Sequence, residues 1–151
     1  MHRTELEREA VSATYERTLP NDVRALGEAA RDVRATLARA GVDEETVYAA
    51  DLALEELVGN TIRYGYPEGG EHSIRVELRV EGEEVHLTIE DDARPFDPTA
   101  QPEPPRSASL ANASRGGRGI PMVRRMVGDM RYQRTRDGNR LALVLPRKRK
   151  A

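Results

Sequence analysis

Apolar and polar residues alternate from Ile74 through Val76, Leu78 and Val80, with Arg75, Glu77, Arg79 and Glu81 between and after them. A period of two predicts a strand with one face buried and the other wet. The alternation resumes at Val85, Leu87 and Ile89 after Glu81-Gly82-Glu83-Glu84, so the two runs read as a hairpin. A looser alternation sets Val11, Ala13 and Tyr15 against Ser12, Thr14 and Glu16 and predicts an edge strand over 11–19. The period then changes. Val23, Leu26, Ala30, Val33 and Leu37 recur at helical spacing, with Asn21 or Asp22 as cap and Gly41 as stop. Asp43 caps a second helix whose stripe is Val47, Ala50, Leu54, Leu57 and Thr61, and which ends near Tyr64-Gly65 before the loop Pro67-Glu68-Gly69-Gly70. Gly119 to Val127 predicts a third helix, carrying Ile120, Val123 and Met126. Met130–Arg136 and Arg140–Leu145 predict a last hairpin around Asp137-Gly138.

The order β-α-α-β-β-loop-α-β-β points to an α+β fold, a two-layer sandwich of a sheet and helices. No regular element fits 97–115, where Pro98, Pro102, Pro104 and Pro105 fall among Ser, Ala and Asn; a loop this long inside a compact domain carries function or is disordered. The 151 residues fit one domain, with 1–10 and 146–151 expected as flexible ends. Arg147-Lys148-Arg149-Lys150 reads as a solvated basic tail.

Composition sharpens this picture. With one Phe and no Trp, the core must be aliphatic. A net charge of -2 does not fit a dedicated nucleic-acid binder. The absence of Cys removes disulfides and thiolate metal sites. No apolar run nears ~18 residues, so no membrane span is expected. Met1-His2-Arg3-Thr4-Glu5 starts a segment without the apolar stretch of a secretory signal, and a cytoplasmic location is expected. The three histidines lack metal-ligand spacing: His86 reads as a strand-face residue, His2 and His72 as surface. A phosphate-binding loop of the Gly-Lys-Ser/Thr kind is missing, because the only lysines are Lys148 and Lys150.

Three constellations can carry chemistry. Glu56 and Asn60 lie one helical turn apart beside the apolar stripe. An Asn carbonyl oxygen can ligate Mg²⁺, and a nearby Glu can take a proton from an attacking hydroxyl. Asp91 closes an apolar strand, where a carboxylate facing a pocket can accept from the exocyclic amine of adenine. Arg115-Gly116-Gly117-Arg118-Gly119 precedes a helix; glycines admit an anion to the backbone, the helix terminus offers free N–H groups, and Arg115 and Arg118 add charge-assisted bonds. Taken singly, each has a commonplace origin: a solvated helix face, turn chemistry, a hinge. Their order and spacing together fit a site for ATP and Mg²⁺.

Together they resemble the GHKL ATPase superfamily, which includes gyrase, the ninety-kilodalton heat-shock chaperones, histidine kinases and mismatch-repair ATPases. The closest likeness is to the anti-sigma factor serine-protein kinases. It rests on Glu56-Leu57-Val58-Gly59-Asn60, on Asp91 with Pro95-Phe96-Asp97-Pro98, and on Gly117-Arg118-Gly119-Ile120, and covers roughly 12–145. The resemblance implies a mixed, mostly antiparallel sheet covered by helices on one face. It implies Glu56 as general base, Asn60 as magnesium ligand, Asp91 as adenine acceptor and Gly117 and Gly119 beside the phosphates. Ala93, Pro95, Arg115, Arg118 and Ile120 would complete the nucleotide site, and 98–116 would be the lid. Ala93 and Pro95 stand at or near the family's usual glycines, so the methyl of Ala93 is expected to crowd the base or stiffen the loop. Tyr64 stands where relatives often carry His. The implied activity is phosphorylation of an antagonist protein on serine, the implied partners are that antagonist and a sigma factor, and a homodimer is expected. Three rivals remain: a nucleotide-binding module without turnover that sequesters a partner, the catalytic domain of a histidine kinase, which needs a phosphoacceptor His that the first helix lacks, and a fold relative without nucleotide.

Overall fold

The computed structural model describes residues 11–100 and 119–148. Strand β1 (Val11–Pro20) leads to helices α1 (Val23–Arg39) and α2 (Glu44–Tyr64). The hairpin β2 (Ser73–Glu81) and β3 (Glu84–Asp91) follows. After one 3-10 turn at Pro98–Ala100 come α3 (Gly119–Met126), β4 (Asp129–Arg134) and β5 (Asn139–Pro146). The strands form one five-stranded sheet in the order β1-β2-β3-β5-β4, and every pairing in it is antiparallel. β1 is an edge strand, as its weak alternation predicts.

The helices cover one face of the sheet. Ile74, Val76, Leu78, Val85 and Leu87 are fully or almost fully buried against them, and Arg75, Glu77, Thr88 and Glu90 of the same strands face the other way. The core is aliphatic throughout. One residue leaves its expected stripe: Val23 is 69% exposed. Position 23 begins α1, and the buried face instead runs through Ala25, Leu26, Ala29, Ala30, Val33, Thr36 and Leu37. No helix among the described residues is long and apolar enough to cross a membrane.

The segment after β5 departs from the expected solvated tail. Arg147 donates its backbone N–H to Glu83 O at 2.8 Å, and its guanidinium reaches Gly82 O and Gly41 O, both at 3.2 Å. The Lys148 N–H donates to Asp43 Oδ1 at 2.9 Å, and its ammonium pairs with Glu45. Asp43 also caps α2 through Thr46 N at 3.0 Å. One carboxylate thus joins the start of the site helix to the segment that leaves the last strand. Residues 1–10 and 149–151 lie outside the described residues.

Asp43→Ala should cost about 1–2 kcal/mol as a lost helix cap, read from the urea midpoint at unchanged slope. Burial pushes the Asp43 carboxyl up, but hydrogen bonds from Thr46 and Lys148 outweigh it and hold it below its ordinary value of 3.8. A group depressed on folding stabilises above its unfolded value and loses that contribution as pH falls through the folded value. The difference between the two proteins should therefore be full at neutral pH and shrink below about pH 4.

Candidate functional site

The C-terminal half of α2 lies over the end of the sheet where β3 and β5 meet. A cavity of about 180 Å³ opens there, lined by Leu57, Asn60, Thr61, Tyr64 and Gly65 from α2 and its end, and by Ile89, Asp91, Ala93, Arg94, Phe96 and Pro98 from β3 and the loop after it. Tyr132, Asn139 and Leu141 close it from β4 and β5. Asn60, Asp91 and Asn139 are among the polar points of walls that are mainly apolar. Small-molecule sites commonly have this form, apolar walls with a few polar groups that fix orientation.

Asn139 is the residue that sequence reasoning missed. The register places it opposite Asp91, and it is 7% exposed. Its Nδ2 donates to Asp91 Oδ1 at 2.8 Å and to the carbonyls of Arg94 at 3.0 Å and Ala93 at 3.3 Å. Its Oδ1 accepts from the Tyr132 hydroxyl at 2.5 Å, from Arg134 Nη1 at 3.2 Å and from Phe96 N at 3.4 Å. A signal was present: Asn139 is in phase with Leu141, Leu143 and Leu145, so the alternation puts it on the buried face. A buried amide must find partners, and here the partners are the Asp91 loop.

That loop is held from both sides. Ala93 N and Asn139 Nδ2 both donate to Asp91 Oδ1; among the described residues nothing bonds Oδ2, which is left for a donor in the cavity. Arg134 Nη1 donates to Ala93 O at 2.8 Å, and Arg94 N to Gly65 O at 3.1 Å. The Ala93 methyl packs on Gly65, where an added Cβ would come 2.8 Å from it. Ala93 therefore stiffens the loop by packing as well as by hydrogen bonding. Gly138 is needed for close approach: a Cβ there would come 1.7 Å from Asp91 O.

Glu56 does not line the cavity but stands beside it, one turn before Asn60, half-buried. The first residue of α3 presses on it, since a Cβ at Gly119 would lie 1.9 Å from Glu56 Oε2 and 2.2 Å from Cδ. Glycine at 119 thus leaves a cradle that any side chain would fill. Glu55 points elsewhere, exposed, toward Asp51 and Arg34; burial first and then Asp51 raise its carboxyl. Of the other expected residues, Pro95 is exposed and outside the cavity lining, and Ile120 is buried in the core, 6% exposed. Neither meets the cavity. Arg115, Gly117, Arg118 and the expected lid beyond Ala100 lie outside the described residues, and no cluster of His, Asp and Glu poised for a metal occurs among those described.

Residues 19–145 match the histidine kinase-like ATPase domain family. The chain is 31% identical over 97 residues to the serine/threonine-protein kinase BtrW of Bordetella bronchiseptica, covering 64% of this chain and 68% of that one. Its fold is similar to the crystal structure of the RsbU and RsbW domains of Rv1364c from Mycobacterium tuberculosis, with a TM-score of 0.65 at 20% identity. That match covers 91% of this chain and 33% of the longer one.

Removing the Asn139 amide strips Asp91, Ala93, Arg94 and Tyr132 of a shared partner. Asn139→Ala should lose roughly 2–3 kcal/mol, the cost of leaving buried polar groups unsatisfied, measured by urea denaturation. A change under about 0.5 kcal/mol, the range of ordinary surface substitutions, would show that the network is not what holds the loop.

Proposed function

The chain belongs to the histidine kinase-like ATPase domain family, and on that premise we propose that it is an ATP-dependent protein-serine kinase acting as a bacterial anti-sigma factor. The observation that carries the reading is the cavity joining Asn60 and Asp91, residues far apart in sequence, while Gly119 leaves its cradle on Glu56 next to them. The kinase part is further supported by the name of the Bordetella relative. The anti-sigma part rests on the motif resemblance.

The cavity has room for a planar base. Asp91 Oδ2 would accept from the adenine amine, and Asn139 and Ala93 N would keep that carboxylate oriented by holding Oδ1. Leu57, Ile89 and Leu141 would pack on the ring. The phosphates would extend toward Asn60 and Gly119, which begins α3, where backbone N–H groups of a helix start attract anions. The donor set suits Mg²⁺: Asn60 offers a hard carbonyl oxygen, with phosphate and water completing the shell. When bound, the ion would neutralise charge on the transferring phosphoryl group. Glu56 would take the proton of the attacking serine hydroxyl. Unphosphorylated antagonist would compete with a sigma factor for the protein, which would act as a homodimer.

Glu56→Gln keeps size and removes the base. It should bind ATP nearly as well as the unmodified protein and lose phosphoryl transfer by ~10²–10⁴-fold, with Glu55→Gln close to normal as control. Asp91→Asn should weaken ATP, because an amide NH₂ opposes the adenine amine, and GTP should bind the unmodified protein poorly. The assays are calorimetry and ³²P transfer to an antagonist-type protein encoded nearby. Equal affinity for ATP and GTP would remove Asp91 from base recognition. Tight ATP binding without transfer to any candidate would favour a sequestering module without turnover.

A further inference from the structure

The loop that presents Asp91 has a second anchor. His72, expected as a surface residue, lies with its side chain only 29% exposed. Its ring stacks on Tyr66, centroids 4.0 Å apart and planes 12° from parallel. Nδ1 lies 2.9 Å from Asp92 Oδ2, and Nε2 lies 3.1 Å from Gly69 O. Both neighbours are acceptors: an ionised carboxylate and a backbone carbonyl. A neutral imidazole donates from one nitrogen only, so it satisfies one of them. An imidazolium satisfies both. The His72 backbone is fixed as well, with its N–H on Asn21 Oδ1 at 3.0 Å and its carbonyl accepting from Asn21 N at 3.1 Å.

We propose that His72 is a positioning residue for the base-recognising loop: as an imidazolium stacked on Tyr66 it bridges Asp92 to Gly69, and this proton-dependent bridge sets how firmly Asp91 is presented to the nucleotide. The inference rests on the reading of Asp91 as the adenine acceptor. Asp92 directly follows Asp91 and is otherwise exposed. The side of the loop facing β4 and β5 is tied by the neutral amide of Asn139 and the guanidinium of Arg134. On the α2 side, the Arg94–Gly65 bond is backbone, leaving the His72 bridge, which falls from two hydrogen bonds to one when the ring loses its proton.

The charged and titratable groups around the ring are few. Asp92 meets it from the end of β3. Tyr66 meets it from the loop after α2; burial first, then the charges of Asp91 and Asp92, push its phenol up, so it stays protonated at neutral pH. Asn21, from the turn before α1, is neutral. The bond to Asp92 raises His72 above its ordinary 6.5, and the same bond lowers Asp92 below 3.8. A raised histidine keeps its bond below its unfolded value and loses it as pH rises through the folded value. A depressed carboxyl loses its bond only as pH falls below about 4. The bridge therefore holds both ends in mildly acidic solution and only one on the alkaline side of 6.5.

The test is Mg·ATP calorimetry from about pH 5.5 to about pH 8.5, across the histidine range, on the unmodified protein, His72→Gln and Asp92→Asn. Titration of ATP itself is common to all three and divides out. Relative to His72→Gln, the unmodified protein should lose roughly three- to tenfold in affinity across that range, a partial transmission of one charge-assisted hydrogen bond. In Asp92→Asn the drop should move to lower pH, because the raising partner is gone. Profiles parallel to that of His72→Gln would overturn the proposal. A second readout needs no nucleotide: amide exchange at Ala93 and Arg94, corrected for intrinsic pH dependence. It should accelerate on the alkaline side in the unmodified protein and not in His72→Gln. If no nucleotide binds at any pH, the ATP reading fails and exchange alone decides the bridge; equal corrected exchange in both proteins then overturns it.

Discussion

A buried amide facing a carboxylate across two strands is the interaction on which the site depends. Asn139 and Asp91 meet because β3 and β5 pair in one register. Slipping that register by one residue would turn Asn139 to the wet face and carry Leu141, Leu143 and Leu145 with it. The same alternation that builds the core thus fixes the partner of Asp91. Every polar atom of the Asn139 side chain is then used, three acceptors on its nitrogen and three donors on its oxygen. A loop that would otherwise be a mobile strand end becomes a rigid wall. On the proposed role of Asp91 rigidity matters, because a carboxylate that must be ordered on binding gives up affinity.

The other wall comes from a helix with two duties. α2 buries Ala50, Ala53, Leu54, Leu57 and Val58 against the sheet and turns Glu56 and Asn60 toward its flank. Small residues let the helices pack closely; Gly119 at the start of α3 carries this furthest. The cavity remains where packing stops, between the end of α2 and the strands below. Tyr64 lines it while 53% exposed, so the opening has an aromatic rim. The uncovered face of the sheet is occupied by charge instead: Arg75 spans Glu16, Glu77 and Glu90 across three strands, which keeps that face wet without a second helical layer.

The elements were legible because their periods are clean. Ile74 to Val80 and Val85 to Ile89 alternate strictly, and both long helices carry Asp caps, so their bounds follow from local chemistry. The Glu56–Asn60 pair was legible as one helix face, and Asp91 as a strand end. What the chain did not disclose is long-range. The insertion of β5 between β3 and β4 is a matter of sheet order, which no local pattern encodes. With the hairpin placed around Asp137-Gly138 and its strand begun at Arg140, Asn139 fell between the two and drew no reading. Gly138 was attributed to the turn, yet its φ is not positive and its need arises from Asp91 on another strand. His72 and the pair Arg147 and Lys148 were judged from their neighbours in sequence, while Asp92 lies 20 positions from His72 and Gly41 lies 106 from Arg147.

The position of β5 in the sheet also has a consequence for how the protein is made. Synthesis delivers β1, both long helices and the β2–β3 hairpin first. At that point β3 has no neighbour on its far side, and Asp91 has no amide to face. The strand that supplies both follows the other four in the chain, and the following Lys148 backbone completes the cap on the site helix. A ribosome-bound chain that has yet to release this strand therefore carries an open sheet edge and an unformed pocket. Until that strand pairs, Asp91 and the cap on α2 each lack a partner that the folded domain supplies.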